Sequence, residues 1–223
     1  MSKKVMVIAV HPDDETLGCG GTLLRHLAEG DEVYWLTITT ISEQYGFSEA
    51  VAEKRKKELV EVAQAYNFTD SIHLEFATTR LDEYTKTELI GAISKTFKSV
   101  QPEVIYLQHG GDAHSDHGDV FDAVYSCTKS FRYPFLKEVY TMETISETEF
   151  AAPLMQNVFI PNYFVDISAY LERKIEIMEL FESEIGEHPF PRSARNMRAL
   201  ATLRGAQAGT EYAEAFMCLK RIR

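Results

Sequence analysis

The stretch VMVIAVHPDDETLGCGGTL, residues 5–23, decides the fold because it joins a buried strand to a helix through a run of polar side chains. Its first six residues are all apolar and mostly β-branched, which is typical of a strand covered on both faces of a parallel sheet. Leu23, Leu24 and Leu27 then recur on one helical face, and Gly30 is a natural stop for the helix. The stretch therefore predicts the first βα unit of an α/β protein.

The same alternation continues along the chain. Strands are predicted at residues 32–40, 71–76, 103–108, 136–142 and, weakly, 216–219, with helices at residues 48–66, 89–100, 118–131, 167–185 and 194–206. Helices of about 10–15 residues between strands imply right-handed βαβ units and a mostly parallel sheet. We expect a single domain over residues 1–223, in which residues 1–142 form the core βα units and residues 143–223 add the C-terminal helices and strand that complete the pocket.

Composition and charge narrow the function classes. The 223 residues are 45% hydrophobic and 26% charged, the ordinary balance of one soluble domain. The 34 acidic against 23 basic side chains give a net charge of −11, whereas nucleic acids and anionic membranes are bound by clustered Lys and Arg. We therefore expect a small-molecule partner, no nucleic acid and no membrane, and leave an assembly of identical chains open.

The cysteines and the N-terminus bear on location. Cys19, Cys127 and Cys218 are odd in number and widely separated, which disfavours a disulfide framework and favours a reducing compartment. The six apolar residues before His11 are too few for the core of a signal peptide, and no run approaches the ~18 apolar residues of a membrane span. These features predict a cytoplasmic protein.

A first polar cluster, HPDDE at residues 11–15, directly follows the first strand. Ligands of open α/β sheets bind outside the carboxyl ends of the strands, so this is the expected place for a site. His11 and Asp14 are three residues apart, and an imidazole nitrogen and a carboxylate oxygen can converge there on a metal ion. The alternative is that Asp13 or Asp14 only caps the following helix.

A second cluster, HGGDAHSDH at residues 109–117, follows the fourth predicted strand and holds three of the seven histidines. His114 and His117 repeat the spacing of the first cluster. In the common doubly wound strand order the first and fourth strands are neighbours, so both clusters would face one crevice. Together they predict a metal site.

The ligand types indicate the kind of metal site. Histidine and carboxylate without thiolate suit one divalent ion, Zn²⁺ in the first place and Fe²⁺ as the alternative. Three protein ligands and an open position mark a catalytic site. His11, Asp14 and one of the two later histidines would bind the ion, and Asp13 and the other histidine would act as general base and oxyanion donor.

Three glycines at positions 18, 20 and 21 follow the first cluster. Their spacing matches neither GxGxxG nor a P-loop. Close packing of the helix start against the site explains them better.

Several of these motifs resemble those of a known family. AVHPDDE at residues 9–15 with LGCGGTL at residues 17–23 resembles the signature of the PIG-L/LmbE-like metal-dependent N-deacetylases, and HSDH at residues 114–117 resembles their second motif, HPDH. Further similar features are Arg55 with Glu58 on the second helix, Arg204-Gly205, and YAEAF at residues 212–216. The resemblance covers nearly the whole chain.

The resemblance implies a Rossmann-like three-layer sandwich and a role for each motif residue. It implies that His11, Asp14 and His117 bind the metal and that Asp13 is the general base. It further implies that His114 stabilises the oxyanion and protonates the leaving amine, with Asp116 adjusting its charge. Ser115 replaces the usual proline, and Asp112 stands where some sugar-conjugate deacetylases carry a tyrosine.

Motifs and resemblance together predict a zinc-dependent hydrolase that removes the acetyl group of an N-acetylglucosamine-type sugar conjugate. Arg55 and Asp112 are the expected substrate-binding residues, and Tyr133 and Phe135 are candidates for a sugar face. His109 is a candidate for orienting a ligating histidine. The alternatives are a metal-dependent phosphoesterase, which normally needs two metals about 3.5–4 Å apart, and a non-catalytic metal-containing sugar-binding protein.

Overall fold

A single twisted sheet lies between two layers of helices in the computed structural model, which describes residues 2–223. The strands are β1 (Lys4–Ala9), β2 (Glu32–Thr40), β3 (Asp70–Ala77), β4 (Val104–Gln108), β5 (Glu138–Met142), β6 (Tyr163–Asp166) and β7 (Ala213–Arg221). The α-helices are α1 (Asp14–Ala28), α2 (Glu49–Tyr66), α3 (Lys86–Val100), α4 (Ser115–Ser126), α5 (Leu171–Met178) and α6 (Ala194–Ala208). The α/β class predicted from the sequence is confirmed.

The strand order is β3-β2-β1-β4-β5-β7-β6. Strands β1 to β5 are parallel, and β7 runs antiparallel between β5 and β6. Strand β1 pairs with both β2 and β4, with Val5 opposite Val33 on one side and Val104 on the other. The carboxyl ends of β1 and β4 are therefore adjacent, as the two polar clusters required.

Alternate residues of the central strands build two separate cores. Val5 and Val7 face one core with the fully buried Trp35, and this core is covered by α1, α2, α5 and α6. Met6 and Ile8 face the other, which is covered by α3 and α4. Burial on both faces explains why β1 reads as an unbroken apolar run. None of the helices within residues 2–223 has the length and apolar character needed to cross a membrane.

The sequence prediction is least accurate in the C-terminal third. The helix predicted at residues 167–185 is wrong, because α5 ends at Met178 and the following apolar side chains, such as the fully buried Phe181, reach the core from turns. Strand β6 was not predicted, since its four residues are ordered by pairing with β7 and carry little local pattern. Strand β7 extends well beyond the predicted residues 216–219.

Helix α4 begins and ends earlier than the sequence predicted. It starts at Ser115 instead of residue 118, because the His114 side chain accepts a hydrogen bond from the Asp116 amide and caps the helix. It ends at Ser126 instead of residue 131, and the side chain of Phe131 is largely exposed. The first turn of α4 therefore holds the ring of a histidine from the second polar cluster.

Helix α1 is bent at Cys19, whose φ of −145° and ψ of 20° are not helical. A buried ion pair lies at the bend. The Glu214 carboxylate accepts hydrogen bonds from the amides of Gly21 (2.9 Å) and Thr22 (2.7 Å), and Lys174 Nζ donates to the Leu17 carbonyl (2.9 Å) and to Glu214 (2.6 Å). The pair thus supplies partners for backbone groups that a regular α-helix would bond to each other.

The glycines of this helix allow close packing, as the sequence suggested. A Cβ atom on Gly18 would lie 2.5 Å from Met142 Sδ, and one on Gly21 would lie 2.7 Å from Ile167 Cγ2. Side chains at these positions would push the helix away from β5 and from the segment before α5. Close approach of the helix to the sheet is what keeps its first turn next to the end of β4.

We predict that Lys174→Met lowers the free energy of unfolding by about 3–5 kcal/mol, because Glu214 would remain buried without its partner. Chemical denaturation measures the change. Lys95→Met, which removes a lysine from the partly exposed side of α3, is the control and is expected to change stability by less than about 0.5 kcal/mol. Equal stability of the two variants would contradict a structural role of the pair.

Candidate metal centre

Three side chains from the two sequence clusters converge at the carboxyl ends of β1 and β4. His11 follows β1, Asp14 is the first residue of α1, and His117 lies in the first turn of α4. One ligand atom from each lies within 4.8 Å of the others. The arrangement is the one that the resemblance implied for the metal ligands.

The ring of His117 gives a direct test of whether a metal ion fits. Its Nδ1 is 2.8 Å from the Asp112 carboxylate, and its side chain is completely buried. Its Nε2, 3.5 Å from Asp14 Oδ2, has no hydrogen-bond partner within residues 2–223. A buried ring nitrogen without a partner is costly, and a cation held between His117, Asp14 and His11 would satisfy it.

Neighbouring groups hold the ligands in place. Asp14 Oδ2 accepts hydrogen bonds from the His11 amide (2.8 Å) and from Gln108 Nε2 (3.1 Å). Gln108 also donates to the Ile8 carbonyl and so bridges β4 and β1. Such outer contacts normally fix the orientation of metal ligands. His109, the candidate from the sequence for this role, instead has its Nε2 at 3.1 Å from the Asn157 carbonyl.

The protonation states of Asp14 and His117 depend on each other. Burial alone would raise the pKa of Asp14, but His117 and His11 beside it hold the pKa below its usual range. Burial alone would lower the pKa of His117, but Asp14 and Asp112 raise it to about 10. The two groups attract each other across the 3.5 Å between Asp14 Oδ2 and His117 Nε2, without a hydrogen bond between them, and a metal ion held there would take the place of the proton on His117.

Asp13 occupies a strained backbone position between the ligands. Its φ of 131° is rare for a residue with a side chain and places the carboxylate in the cavity. The side chain makes no capping hydrogen bond to α1, so the capping alternative does not describe it. Instead it lies 2.7 Å from Arg192 Nη1. Burial and the neighbouring Asp14 raise the pKa of Asp13 well above its usual value, against the opposing effect of Arg192.

His114 presents a defined donor to the same cavity. Its Nδ1 accepts a hydrogen bond from the Asp116 amide at 3.1 Å, so in the neutral ring Nε2 carries the hydrogen. Burial and the nearby His11 lower the pKa of His114, which favours this neutral form. The Asp116 carboxylate lies 3.1 Å from His11 Nε2 and accepts from the Thr79 amide. It therefore contacts His11 directly, and its negative charge also acts to raise the pKa of His114, against the larger effect of burial.

Within the described residues, two other groups of three side chains also bring their ligand atoms within 4.8 Å of one another. In the group of His11, His114 and Asp116, both the His114 Nδ1 and the Asp116 carboxylate already have partners. In the group around His26, both ring nitrogens are bonded, one to Asp31 and one to Tyr106. The unpartnered nitrogen of His117 therefore favours the first group.

The cavity above the ligands has a volume of about 280 Å³, close to the lower end of small-molecule sites. Arg55 lines it, as expected for a substrate-binding residue, but its Nη1 donates to the Pro12 carbonyl at 2.9 Å and its Nη2 contacts Glu184. Arg192 Nη1 lies 3.0 Å from the other oxygen of Glu184. One carboxylate thus joins two arginines across the wall of the cavity.

Two residues expected in the substrate pocket lie elsewhere. The Asp112 side chain has no exposed surface and is bonded to His117 and to the Thr148 hydroxyl, so it lies beneath the metal ligands instead of in the cavity wall. Tyr133 packs against Phe97 in the core under α3, and its hydroxyl donates to Ser94. Neither side chain reaches the cavity, because each is enclosed by its own partners.

Sequence reasoning missed three charged residues of the cavity wall, Glu147, Glu184 and Arg192. They lie in the C-terminal third, in loops without helical or strand periodicity. The histidine and proline residues at 188–191 marked one of these loops, but no local spacing connected it to the first cluster. Arg192 and Asp13 are 179 residues apart in the chain.

The sheet topology defines an α/β protein, and His11, Asp14 and His117 form a group of side chains that could hold a metal ion. Residues 6–128 match the profile of the PIG-L family, described as GlcNAc-PI de-N-acetylase. Because this match covers more than half of the chain, the protein belongs to that family.

Individual relatives agree with this assignment. The diacetylchitobiose deacetylase of Thermococcus kodakarensis is 27% identical over 225 residues, which cover 95% of this chain and 81% of that protein. The conserved protein TT1542 of Thermus thermophilus superposes with a TM-score of 0.78 at 23% identity, covering 99% and 96% of the two chains. The N,N'-diacetylchitobiose deacetylase of Pyrococcus horikoshii superposes with a TM-score of 0.74 at 22% identity, covering 98% and 84%. At these identities the two solved structures establish the shared fold.

We predict that His11→Ala and His117→Ala bind much less metal than the unchanged protein, because each removes one of three ligands. Asp112→Asn keeps the ligands but weakens the orientation of His117, and its metal affinity is expected to fall about 10–100-fold. Elemental analysis and competition with a chelator measure both effects. His188→Ala, which removes an exposed histidine, is the control. Full metal content in both ligand variants would remove these residues from the ligand set.

Proposed function

We propose that this protein is a metal-dependent N-deacetylase that hydrolyses the acetamido bond of an N-acetylglucosamine-type sugar and releases acetate and a free amine. The observation that carries the proposal is the unpartnered His117 Nε2, which faces Asp14 and His11 beside the buried carboxylate of Asp13. Family membership and the similarity to a diacetylchitobiose deacetylase support the same reaction and the sugar as substrate.

We propose Zn²⁺ as the ion, with Fe²⁺ as the alternative, because the three ligands offer imidazole nitrogen and carboxylate oxygen without thiolate. His11, Asp14 and His117 would hold it. A bound divalent ion polarises the acetamido carbonyl and lowers the pKa of water towards about 7. We assign the proton transfers and the stabilisation of the oxyanion to side chains of this protein.

Asp13 is the proposed general base. Its carboxylate is buried in the cavity, and its raised pKa makes it a better proton acceptor than an exposed aspartate. It takes a proton from the attacking water and passes it to the departing amine nitrogen. The contact between Arg192 Nη1 and the Asp13 carboxylate, at 2.7 Å, holds the carboxylate in place.

His114 is the proposed oxyanion donor. With Nδ1 occupied by the Asp116 amide, its Nε2–H can stabilise negative charge that develops on the carbonyl oxygen. A neutral imidazole that donates through Nε2 suits this role better than the protonation of the amine, which we assign to Asp13.

The remaining predicted site residues receive supporting roles in this proposal. Asp112 orients His117, and Asp116 orients His11. Arg55 fixes the Pro12 carbonyl and hence the loop that carries Asp13. The reducing cytoplasm predicted from the widely spaced cysteines, none of which is paired, remains part of the proposal.

The two alternatives are less well supported. A phosphoesterase with two metals about 3.5–4 Å apart would need bridging carboxylates, whereas the orphaned ring nitrogen of His117 calls for one ion. A protein that only binds sugar would not need a buried base, yet Asp13 is held in a strained conformation with its carboxylate in the cavity.

The function is tested by release of free amine from N-acetylglucosamine, N,N'-diacetylchitobiose and an N-acetylated amino acid, with Zn²⁺ added. We expect the sugars to react. Reaction of the amino acid alone would show that the sugar assignment is wrong while the deacetylase chemistry is right. Release of phosphate from phosphate esters, with no amine from any substrate, would favour the phosphoesterase.

Asp13→Asn is expected to retain metal and to lose about 10²–10⁴-fold in kcat, because the amide cannot accept the proton. Metal content and kcat are measured on the same preparation. Asp122→Asn, which changes an exposed aspartate on α4, is the matched control. Undiminished kcat in Asp13→Asn would require another base.

His114→Ala is expected to lower kcat by about 10²–10³-fold with a much smaller change in KM, because the lost hydrogen bond forms mainly in the transition state. Steady-state kinetics separate the two constants. A rise in KM at constant kcat would instead assign His114 to substrate binding.

A further inference from the structure

We infer that the substrate is an uncharged N-acetylated sugar, and that Glu147 selects against substrates that carry a phosphate or carboxylate group. The inference rests on the proposed function and specifies its substrate class. It starts from the distribution of charge around the cavity.

The charges that line the cavity are already balanced. The arginines are Arg55 and Arg192, and the carboxylates are Asp13, Asp14, Glu147 and Glu184. Two guanidinium groups and one bound divalent ion would carry four positive charges, which equal the four negative charges of these carboxylates. An anionic substrate would therefore bring uncompensated negative charge into a confined space.

Both arginines are engaged with protein carboxylates. Arg192 Nη1 lies 2.7 Å from Asp13 and 3.0 Å from Glu184. Arg55 contacts Glu184 through Nη2, and its Nε lies 3.1 Å from Glu58. A phosphate bound by either guanidinium would lie beside a protein carboxylate that already contacts the same positive charge. The cavity thus differs from an anion site, in which arginines present their forks to the ligand.

Glu147 differs from Asp13 and Glu184, which both contact an arginine. Its carboxylate has no ion pair and no hydrogen bond to any of residues 2–223, although the side chain lines the cavity. Its backbone is held from both sides: its carbonyl accepts from the Ala113 amide at 3.1 Å, and the preceding Ser146 has a φ of 80° with its amide bonded to Glu149 at 2.7 Å. A positive φ at a residue with a side chain persists only where neighbouring groups hold it, so these contacts fix the position of the Glu147 backbone.

The remaining polar groups of the wall suit a sugar. Thr78 and Thr79 line the cavity, and both residues keep exposed surface. Hydroxyl groups of a neutral sugar can donate to Glu147 and exchange hydrogen bonds with these threonines, whereas a phosphate would meet the carboxylate of Glu147 directly.

The test compares N-acetylglucosamine with N-acetylglucosamine 6-phosphate, which differ only in the phosphate, on the zinc-loaded protein. We expect kcat/KM to be at least about tenfold higher for the neutral sugar. Glu147→Gln keeps the shape and an acceptor oxygen but removes the charge. This variant should raise kcat/KM for the phosphate several-fold and so reduce the ratio of kcat/KM for the neutral sugar to kcat/KM for the phosphate.

Glu187→Gln is the matched control, because it removes the same charge from an exposed position outside the cavity. It should leave the ratio of the two kcat/KM values unchanged. Equal or better turnover of the phosphate by the unchanged protein would overturn the inference. An identical ratio in Glu147→Gln would overturn the role of Glu147.

Failure of the proposed function can be distinguished from failure of the charge selection. If neither sugar releases an amine, the deacetylase proposal fails, and calorimetric titration of the same two sugars onto the zinc-loaded protein then measures the preference without turnover. Tighter binding of the neutral sugar, reversed or reduced in Glu147→Gln, would uphold the charge selection. Tighter binding of the phosphate would overturn it.

Discussion

The Lys174–Glu214 ion pair is the contact on which the geometry of the metal centre depends. It joins α5 and β7 to the middle of α1, at the residue where the helix bends. Because the bend is supported from outside the helix, the first turn of α1 can point towards the end of β4. That turn carries Asp14. A charged pair remote from the cavity therefore supports the helix that carries Asp14, one of the proposed metal ligands.

The site itself follows from the sheet topology and from desolvation. Adjacent parallel strands deliver His11 and, through the loop after β4, His117 to one point. Because these carboxylate and imidazole groups are buried close together, the pKa of each depends strongly on the charge of the others. Without a cation, they bind a proton as a coupled group. The same burial raises the pKa of Asp13 and lowers the pKa of His114. Exclusion of water thus favours the states that the proposed base and the proposed oxyanion donor require.

Local pattern was sufficient for most elements in the first two thirds of the chain and for the convergence of His11, Asp14 and His117, because each polar cluster is contiguous in sequence. The strand predicted at residues 32–40 and the helix predicted at residues 48–66 agree with β2 and α2. Long-range contacts explain what was missed. Strand β6 depends on pairing with β7, Arg192 reaches Asp13 from a loop without periodicity, and the burial of Asp112 results from side chains that close over its carboxylate. Spacing cannot identify partners that only the folded chain brings together.

The wall that carries Glu147, Glu184 and Arg192 has a consequence for how this protein can change. The proposed metal ligands and base come from the first 117 residues, and these three come from two loops after β5 and α5. Glu147 makes no side-chain contact with the proposed base, whereas Arg192 contacts Asp13 directly. Replacement of the loop after β5 would therefore change the wall of the cavity and leave the contacts of Asp13 in place, whereas replacement of the loop after α5 would change both.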